Sequence, residues 1–219
     1  MAALAALVSV GVSAAPVRDW SQVANRKPDG AFVEGNPQAR VKLVEYLSFT
    51  CPHCAVMEGQ AIAPLTAKYI KTGLVSYEVR HALRDGYDLA AALLARCNGP
   101  RAFFVVAPAV YAAQPQWMAK ASAYAQTAPA NLPPDKAISA AAEGAGLTGL
   151  FAAHGVAGAK AQSCLADAGE RKLLSDMADA AWNKPGFPGT PDWVVNGVQQ
   201  DHVDGWPKLD AALAAALKK

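Results

Sequence analysis

The sequence lacks an excess of charge of either sign, because 20 basic and 18 acidic residues leave a formal net charge of +2. Nothing in this balance calls for nucleic acid or an anionic membrane surface as a partner. Charged residues make up 17% of the 219 residues and hydrophobic residues 53%, which favours a packed core over a disordered chain. A chain of this length suits one generous domain, or a small domain that carries an insertion.

A hydrophobic run long enough to cross a bilayer, about 20 residues, is also missing. The run from Ala2 to Val12 is too short for that, and it fits the apolar part of a secretory signal followed by small residues that a signal peptidase accepts. No Lys or Arg precedes this run, which is consistent with a mis-assigned start. We therefore expect residues 1–15 to be a signal peptide and the cleaved protein to be soluble in the periplasm. A buried N-terminal helix is the alternative.

Cysteine is scarce, with four residues at positions 51, 54, 97 and 164. No second Cys-x-x-Cys and no His-x₃₋₅-His accompany the close pair, which argues against a zinc site. Ala55 stands where the haem-attachment motif Cys-x-x-Cys-His needs histidine. We therefore expect no metal and no cofactor. In an exported protein, an even number of cysteines can hold disulfides.

The hydrophobic pattern predicts strand, helix, strand, a helical block, helix, hairpin and helix. The strands are expected at 41–49, 74–83, 192–195 and 198–203, and the apolar run of the first indicates burial on both faces. The helices outside the block are expected at 55–71, with a kink at Pro64, and at 168–182 and 207–217. A strand–helix–strand crossover implies parallel pairing, whereas the hairpin at Asn196-Gly197 adds antiparallel strands. The sequence therefore predicts an α/β protein with a mixed central sheet flanked by helices, formed by 16–85 and 166–219, and an all-helical insertion at 86–165. Within this order, 16–30 is interpreted as a polar entry segment.

The motif Cys51-Pro52-His53-Cys54 directly follows the first predicted strand and begins a helix. Pro52 suits the first helical position because its fixed φ is helical and its missing N–H has no partner to lose. Free N–H groups and the helix dipole stabilise a thiolate at Cys51, and His53 can add a donor or a positive charge. A stabilised thiolate makes the pair a strong oxidant, with an outward-facing Cys51 as the attacked sulfur and Cys54 as its resolving partner. An inert structural disulfide is the alternative.

Two motifs together resemble the DsbA-like disulfide oxidoreductases of the thioredoxin superfamily. They are Glu45-Tyr46-Leu47-Ser48-Phe49-Thr50-Cys51-Pro52-His53-Cys54, and Gly189-Thr190-Pro191 leading into Val194-Val195-Asn196-Gly197. The resemblance implies a thioredoxin fold with an inserted all-helical domain. It also implies a monomer that introduces disulfides into exported polypeptides with free thiols and is recharged by a DsbB-type membrane oxidase.

The same resemblance implies roles for residues around the cysteine pair. Pro191 would be a cis-proline packed against the sulfurs, and Thr190 would present its backbone to an extended substrate. An ordinary trans-proline is the alternative at that position. Glu45 would be a buried acid that moves a proton to or from Cys54, and the alternative is a carboxylate that points to solvent.

The resemblance further implies that Cys97 and Cys164 form a second disulfide, as in some relatives. Such a bond would staple the insertion and add ~4 kcal/mol of stability in the chain-entropy model. Two free buried thiols are the alternative. Two residue pairs, Met57-Glu58 and Asp192-Trp193, depart from the usual family pattern. We expect Asp192-Trp193 to place a charge and an indole near the substrate groove, and the alternative is that Trp193 belongs to the core.

Two other functions stay open for the same fold. One is a thiol reductase or isomerase, although isomerases of this superfamily generally need an N-terminal dimerisation domain and only residues 1–30 precede the predicted fold. The other is a non-enzymatic peptide-binding or chaperone module, which the intact Cys51 and Cys54 argue against.

Overall fold

A six-stranded mixed sheet forms the centre of the computed structural model, which describes residues 18–219. The predicted signal peptide lies outside the described residues. The strands are β1 Ala24–Arg26, β2 Phe32–Gly35, β3 Val41–Leu47, β4 Val75–His81, β5 Asp192–Val195 and β6 Val198–Gln199, in the order β1-β2-β4-β3-β5-β6. β3 and β4 pair in parallel and the other neighbours pair antiparallel, which confirms the predicted mixed sheet.

The central strand β3 buries alternate residues, whereas the sequence predicts a strand buried on both faces. One face is buried and the other is exposed or half-buried; the buried residues are Val41, Leu43, Glu45 and Leu47. The prediction is wrong for the second face because Val44 and Tyr46 are only partly covered. Glu45 therefore lies on the side of the sheet that faces the core.

The sequence predicts a polar entry segment at 16–30, and this prediction is wrong for residues 18–30, which hold regular secondary structure. The segment contains a 3₁₀ helix (Trp20–Gln22) and β1, which pairs with β2 to extend the sheet. β1 has only three residues and none of them is buried, so it has no hydrophobic pattern to reveal it. The returning strand predicted to residue 203 ends at Gln199, and His202 turns the chain away with a φ of 55°.

The helix that holds the cysteine motif begins at Pro52, the first helical position that the motif predicts. It runs through α1 (Pro52–Met57), a π-helical segment (Glu58–Ile62), α2 (Ala63–Leu65) and a second π-helical segment (Thr66–Ile70). Pro64 removes one backbone donor within this run, where the sequence predicts a kink. The irregular, π-helical geometry lies on both sides of it, which fits a locally disrupted hydrogen-bond ladder.

In the part of the chain that the structure describes, seven helices lie between β4 and β5, and the first six of them form the helical block. These six are α3 Gly86–Arg96, α4 Gly99–Ala112, α5 Gln114–Ala125, α6 Pro134–Gly144, α7 Leu147–Ala152 and α8 Gly158–Ala166. α9 (Ala168–Trp182) then packs on β4, and α10 (Trp206–Lys218) packs on β3 and β5. Within residues 18–219, no helix combines the length and the apolar character needed to cross a bilayer.

Candidate active site

The cysteine motif lies at the junction between β3 and α1. Cys51 is the N-cap residue, with extended backbone angles (φ −85°, ψ 119°), and Pro52 stands in the first turn. Cys54 lies one turn into the helix and is buried, whereas the side chain of His53 is exposed. Both thiols are free in this structure. The two sulfurs therefore differ in environment although they are close in sequence.

Cys51 is more covered than its predicted outward position implies, since only 3% of the residue is exposed. The loop before β5 covers it, and the Cys51 thiol donates to the carbonyl oxygen of Thr190 at 3.1 Å. The Thr190–Pro191 peptide bond is cis. The description of Cys51 as an exposed sulfur is therefore wrong, although the loop that covers it is the one expected to bind substrate.

The pKa of the Cys51 thiol is lowered to about 5. A hydrogen bond from the Cys54 thiol is the largest cause, and it outweighs the raising effect of burial. The side chain of Thr190 and the backbone N–H groups of His53 and Cys54 stabilise the thiolate further. A helix N-terminus is where such N–H groups have no partner within the helix, so they are available to the sulfur.

The pKa of Cys54 is shifted the other way, strongly upward. Burial is the largest cause, followed by the hydrogen bond that it gives to Cys51 and by the nearby charge of Glu45. At neutral pH one sulfur of the pair is therefore a thiolate and the other a thiol. This asymmetry is what directed thiol–disulfide exchange requires, because the low-pKa sulfur leaves more readily.

Glu45 is buried behind the pair, with 3% of the residue exposed, which excludes the alternative that it points to solvent. The Tyr77 hydroxyl on the neighbouring strand donates a hydrogen bond to its carboxylate. Burial raises the pKa of Glu45 to about 7, against the opposing effect of Tyr77, and the charge on Cys51 adds to the rise. A carboxyl with a pKa near neutrality can both accept and return a proton, which suits the role that the resemblance implies.

The sequence interpretation missed three polar residues in this region, and two of them, Tyr77 and Glu58, interact with Glu45. Tyr77 and two further acids, Glu34 and Glu58, line a cavity of about 500 Å³ between the sheet, the first helix and α4. Burial raises the pKa of Glu34 to about 7 and that of Glu58 to about 8. Glu34 lies on the unpredicted strand β2. The contact of Tyr77 with Glu45 depends on strand register, which the hydrophobic pattern does not give.

The two residues after Pro191 are almost fully buried, although both also line a cavity of about 240 Å³ beside Pro191. Trp193 is 1% exposed, is paired with Glu45 across β3 and β5, and stacks on Tyr77 with ring centroids 6.4 Å apart. Asp192 is 2% exposed on the opposite face of β5. The indole therefore belongs to the core, which is the alternative that the sequence left open.

Cys97 and Cys164 form a disulfide in the structure, at a sequence separation of 67 residues. Cys97 directly follows α3 and Cys164 lies in α8, so the bond joins two helices of the insertion. It lies apart from Cys51 and Cys54 in the chain and adds no redox group to the active-site loop. In the described part of the chain, no three His, Cys, Asp or Glu side chains cluster as metal ligands would.

Replacing Glu45 by glutamine is expected to stabilise the fold more at pH 8 than at pH 5, by about 2 kcal/mol. The folded pKa of about 7 lies above the ordinary value of 4.5, so the contribution of Glu45 to stability is full below pH 4.5 and is lost as the pH rises through about 7. Glutamine never ionises and still accepts from Tyr77. Urea unfolding at the two pH values measures the difference.

Glu143→Gln is the matched control, because Glu143 is exposed on α6 and should leave the pH dependence unchanged. An equal change in unfolding free energy at pH 5 and pH 8 for Glu45→Gln would contradict a buried carboxyl with a raised pKa.

The chain is similar to known proteins in both sequence and fold. A family model described as thioredoxin matches residues 27–215. The chain is 32% identical over 171 residues to a Rickettsia felis protein named "Putative protein-disulfide oxidoreductase", covering 78% of this chain and 55% of that protein. A Rickettsia prowazekii protein that is also named a putative protein-disulfide oxidoreductase is 30% identical over 194 residues. The match covers 87% of this chain and 64% of the Rickettsia prowazekii protein. The chain thus spans less than two thirds of the length of these curated relatives.

Solved structures match along nearly their whole length. The crystal structure of a protein-disulfide isomerase from Novosphingobium aromaticivorans superposes with a TM-score of 0.80 at 29% identity, over 87% of this chain and 99% of that chain. Wolbachia pipientis alpha-DsbA1 superposes with a TM-score of 0.65 at 22% identity, over 85% of this chain and 90% of that chain. The second match is a likeness of fold.

Proposed function

The chain belongs to the thioredoxin family, and from this premise we propose that it is a thiol–disulfide oxidoreductase that donates the Cys51–Cys54 disulfide to other proteins. The membership confirms the predicted thioredoxin fold with its helical insertion. The expected resemblance to DsbA-like oxidoreductases is confirmed as well. The observation that carries the proposed activity is the position of Cys51 at the N-terminus of α1, one turn before the buried Cys54 and against the cis Thr190–Pro191 bond. The lowered pKa of Cys51 and the strongly raised pKa of Cys54 support it.

In the proposed reaction, a substrate thiolate attacks the Sγ atom of Cys51 in the oxidised pair. The bond between Cys51 and Cys54 breaks, a mixed disulfide forms, and Cys54 leaves with the electron pair and takes up a proton. Glu45 is the proposed source of that proton, because its pKa of about 7 keeps a fraction protonated at neutral pH. A second substrate thiolate then attacks the substrate sulfur of the mixed disulfide and releases Cys51 as a thiolate. The substrate loses two electrons and the pair gains them.

The Thr190–Pro191 turn is the proposed substrate-binding element. Thr190 lies against the sulfur of Cys51, and both residues of the cis peptide bond are half-buried, so part of each remains accessible. An extended peptide placed along this turn could pair with the Thr190 backbone as an added strand does. Main-chain pairing of this kind ignores side-chain identity, which suits an enzyme with many unfolded substrates.

The proposed setting is the periplasm, with exported polypeptides that carry free thiols as substrates and a DsbB-type membrane oxidase as the recharging partner. An oxidising compartment supports this direction of electron flow, because the reduced pair must be re-oxidised after each turnover. We further propose that the protein acts as a monomer, since the two cysteines, Glu45 and the Thr190–Pro191 turn all come from one chain.

The equilibrium of the pair with glutathione tests the direction of the reaction. A lowered Cys51 pKa stabilises the reduced form, and this effect grows as the pH rises from about 5 towards about 9. At pH 7 we expect the pair to be more oxidising than an unperturbed dithiol by on the order of 10- to 100-fold in equilibrium constant. Quantifying the reduced fraction in glutathione buffers measures this, and a potential near that of thioredoxin would favour a reductase instead.

Disulfide isomerisation is the second candidate, because the structure from Novosphingobium aromaticivorans bears the name of a protein-disulfide isomerase. The two activities separate on substrates of different redox state. A donor oxidises a fully reduced substrate stoichiometrically when supplied in oxidised form, whereas an isomerase rearranges a scrambled, fully oxidised substrate when supplied in reduced form.

A further inference from the structure

In the active-site loop between β3 and α1, every backbone carbonyl of residues 48–51 accepts a hydrogen bond from a side chain that lies later in the chain. Residues 48–51 are at most 4% exposed, so their carbonyl groups need partners within the protein. Each of the four carbonyl oxygens accepts a hydrogen bond from a side chain; the donors are Tyr111 to Ser48, Gln114 to Phe49, Arg84 to Thr50 and Gln114 to Cys51. Tyr111 and Gln114 belong to the helical insertion.

Gln114 occupies a special place among these donors because it holds two carbonyls at once. Its Nε2 atom donates to the Phe49 oxygen at 2.7 Å and to the Cys51 oxygen at 3.0 Å. The side chain is 6% exposed and begins α5. A primary amide has two N–H donors, and here both are used on the same loop.

We propose that Gln114 is a positioning residue for disulfide exchange, because its amide fixes the backbone of Phe49 relative to that of Cys51. This inference rests on the proposed function, in which Cys51 is the sulfur that reacts. It assigns to the helical insertion a task at the active site, in addition to any role in covering the sheet.

The link from Gln114 to reactivity runs through the backbone angle ψ of Cys51. The carbonyl of Cys51 also accepts from Ala55 as the first hydrogen bond of α1, so its orientation is shared between the helix and Gln114. The Cys51 side chain makes no capping hydrogen bond in the structure, yet the backbone N–H groups of His53 and Cys54 help to lower its pKa, and this effect depends on how the N-cap geometry aligns them with the sulfur. A rotation of that peptide group would turn these donors away from the thiolate.

The N–H side of the loop is held by Asp88 of α3, whereas Gln114 is the side-chain donor to the carbonyls of Phe49 and Cys51. One carboxylate oxygen of Asp88 accepts from the Phe49 N–H at 2.8 Å and the other from the Arg84 N–H at 3.0 Å. Phe49 is therefore held at its N–H by one helix of the insertion and at its carbonyl by another. Removing the Gln114 amide should therefore free the carbonyls of Phe49 and Cys51 and leave the rest of the loop anchored.

Gln114→Met tests the proposal, because methionine has similar length and is apolar, so both donors disappear. We expect the midpoint of thiolate formation at Cys51, followed by ultraviolet absorbance against pH, to rise by about one pH unit. The rate of exchange with oxidised glutathione at pH 4, below both midpoints, should fall by up to about tenfold, since less thiolate is present. Gln116→Met is the matched control, because Gln116 is exposed on the same helix and should leave both values unchanged.

A milder variant keeps the test decisive if the methionine variant does not fold. Gln114→Asn retains the amide on a side chain one methylene shorter, so it should reach at most one of the two carbonyls and give a smaller rise in the same direction. A folded Gln114 variant with an unchanged midpoint, or an equal rise in Gln116→Met, would overturn the proposal. If the wild-type protein itself forms no disulfides in a reduced substrate, the proposed function fails instead, so the two failures are distinguishable.

Discussion

Replacing Cys51 by serine is expected to reduce disulfide formation in a reduced substrate protein to the uncatalysed rate. The oxidised Cys51–Cys54 pair is the electron acceptor of the proposed reaction, and a hydroxyl oxygen cannot replace sulfur in it. The fold should survive, because serine differs from cysteine by one atom at a helix N-cap, where serine is a favoured residue. The measurement is the recovery of activity by a reduced, denatured substrate enzyme in the presence of the protein and an oxidant.

Cys54→Ser is the informative partner variant, because it keeps the reactive sulfur and removes the resolving one. When Cys51 of this variant is first converted to its mixed disulfide by oxidised glutathione, a substrate thiolate can displace glutathione from it. We expect the resulting mixed disulfide with substrate to accumulate as a covalent complex that a reductant releases. Cys51→Ser should form no such complex. Undiminished substrate recovery with Cys51→Ser would instead leave a non-enzymatic peptide-binding or chaperone module as the explanation.

Removing the second disulfide by the double change Cys97→Ala and Cys164→Ala is expected to lower the free energy of unfolding by ~4 kcal/mol. The bond closes a loop of 67 residues, and in the chain-entropy model its loss returns that freedom to the unfolded chain. Urea unfolding of the oxidised wild type and of the double variant at the same pH measures the loss. A fall of this size is a large share of the stability of a typical domain.

The same variant separates structural from catalytic cysteines. Cys97 and Cys164 join helices of the insertion and do not contact the sulfur of Cys51, so the thiolate midpoint of Cys51 should be unchanged. A decrease in unfolding free energy below about 1 kcal/mol would contradict the stabilising role. A large shift in the midpoint of Cys51 would show that the two pairs are coupled.

Local chemistry made much of the site predictable from sequence. The helix that begins at Pro52 sets the positions of Cys51 and Cys54 relative to each other, because all three residues lie within one helical turn. The parallel pairing of β3 and β4 follows from the alternating strands and the intervening helix. The hairpin at Asn196-Gly197 likewise follows from turn chemistry, because both residues adopt positive φ.

Contacts that depend on register or on distant segments could not be predicted in the same way. Tyr77 meets Glu45 because β4 pairs with β3 in one particular alignment, and a shift of one residue would turn Tyr77 to the other face. Gln114 lies 63 residues beyond Cys51 on a helix whose pattern indicates only a buried side. The coverage of Cys51 depends on Thr190, which lies 139 residues away. Tertiary packing decides each of these.

The titration of the Cys51 thiol in the reduced wild-type protein tests the central claim most directly. The thiolate of Cys51 absorbs in the ultraviolet, and its formation can be followed against pH with the oxidised protein as the reference. The environment of Cys51 gives an expected midpoint at about pH 5, which leaves the sulfur as a thiolate at neutral pH and the disulfide strongly oxidising. A midpoint near 9, the value of an unperturbed cysteine, would contradict the claim that this pair is built to donate its disulfide.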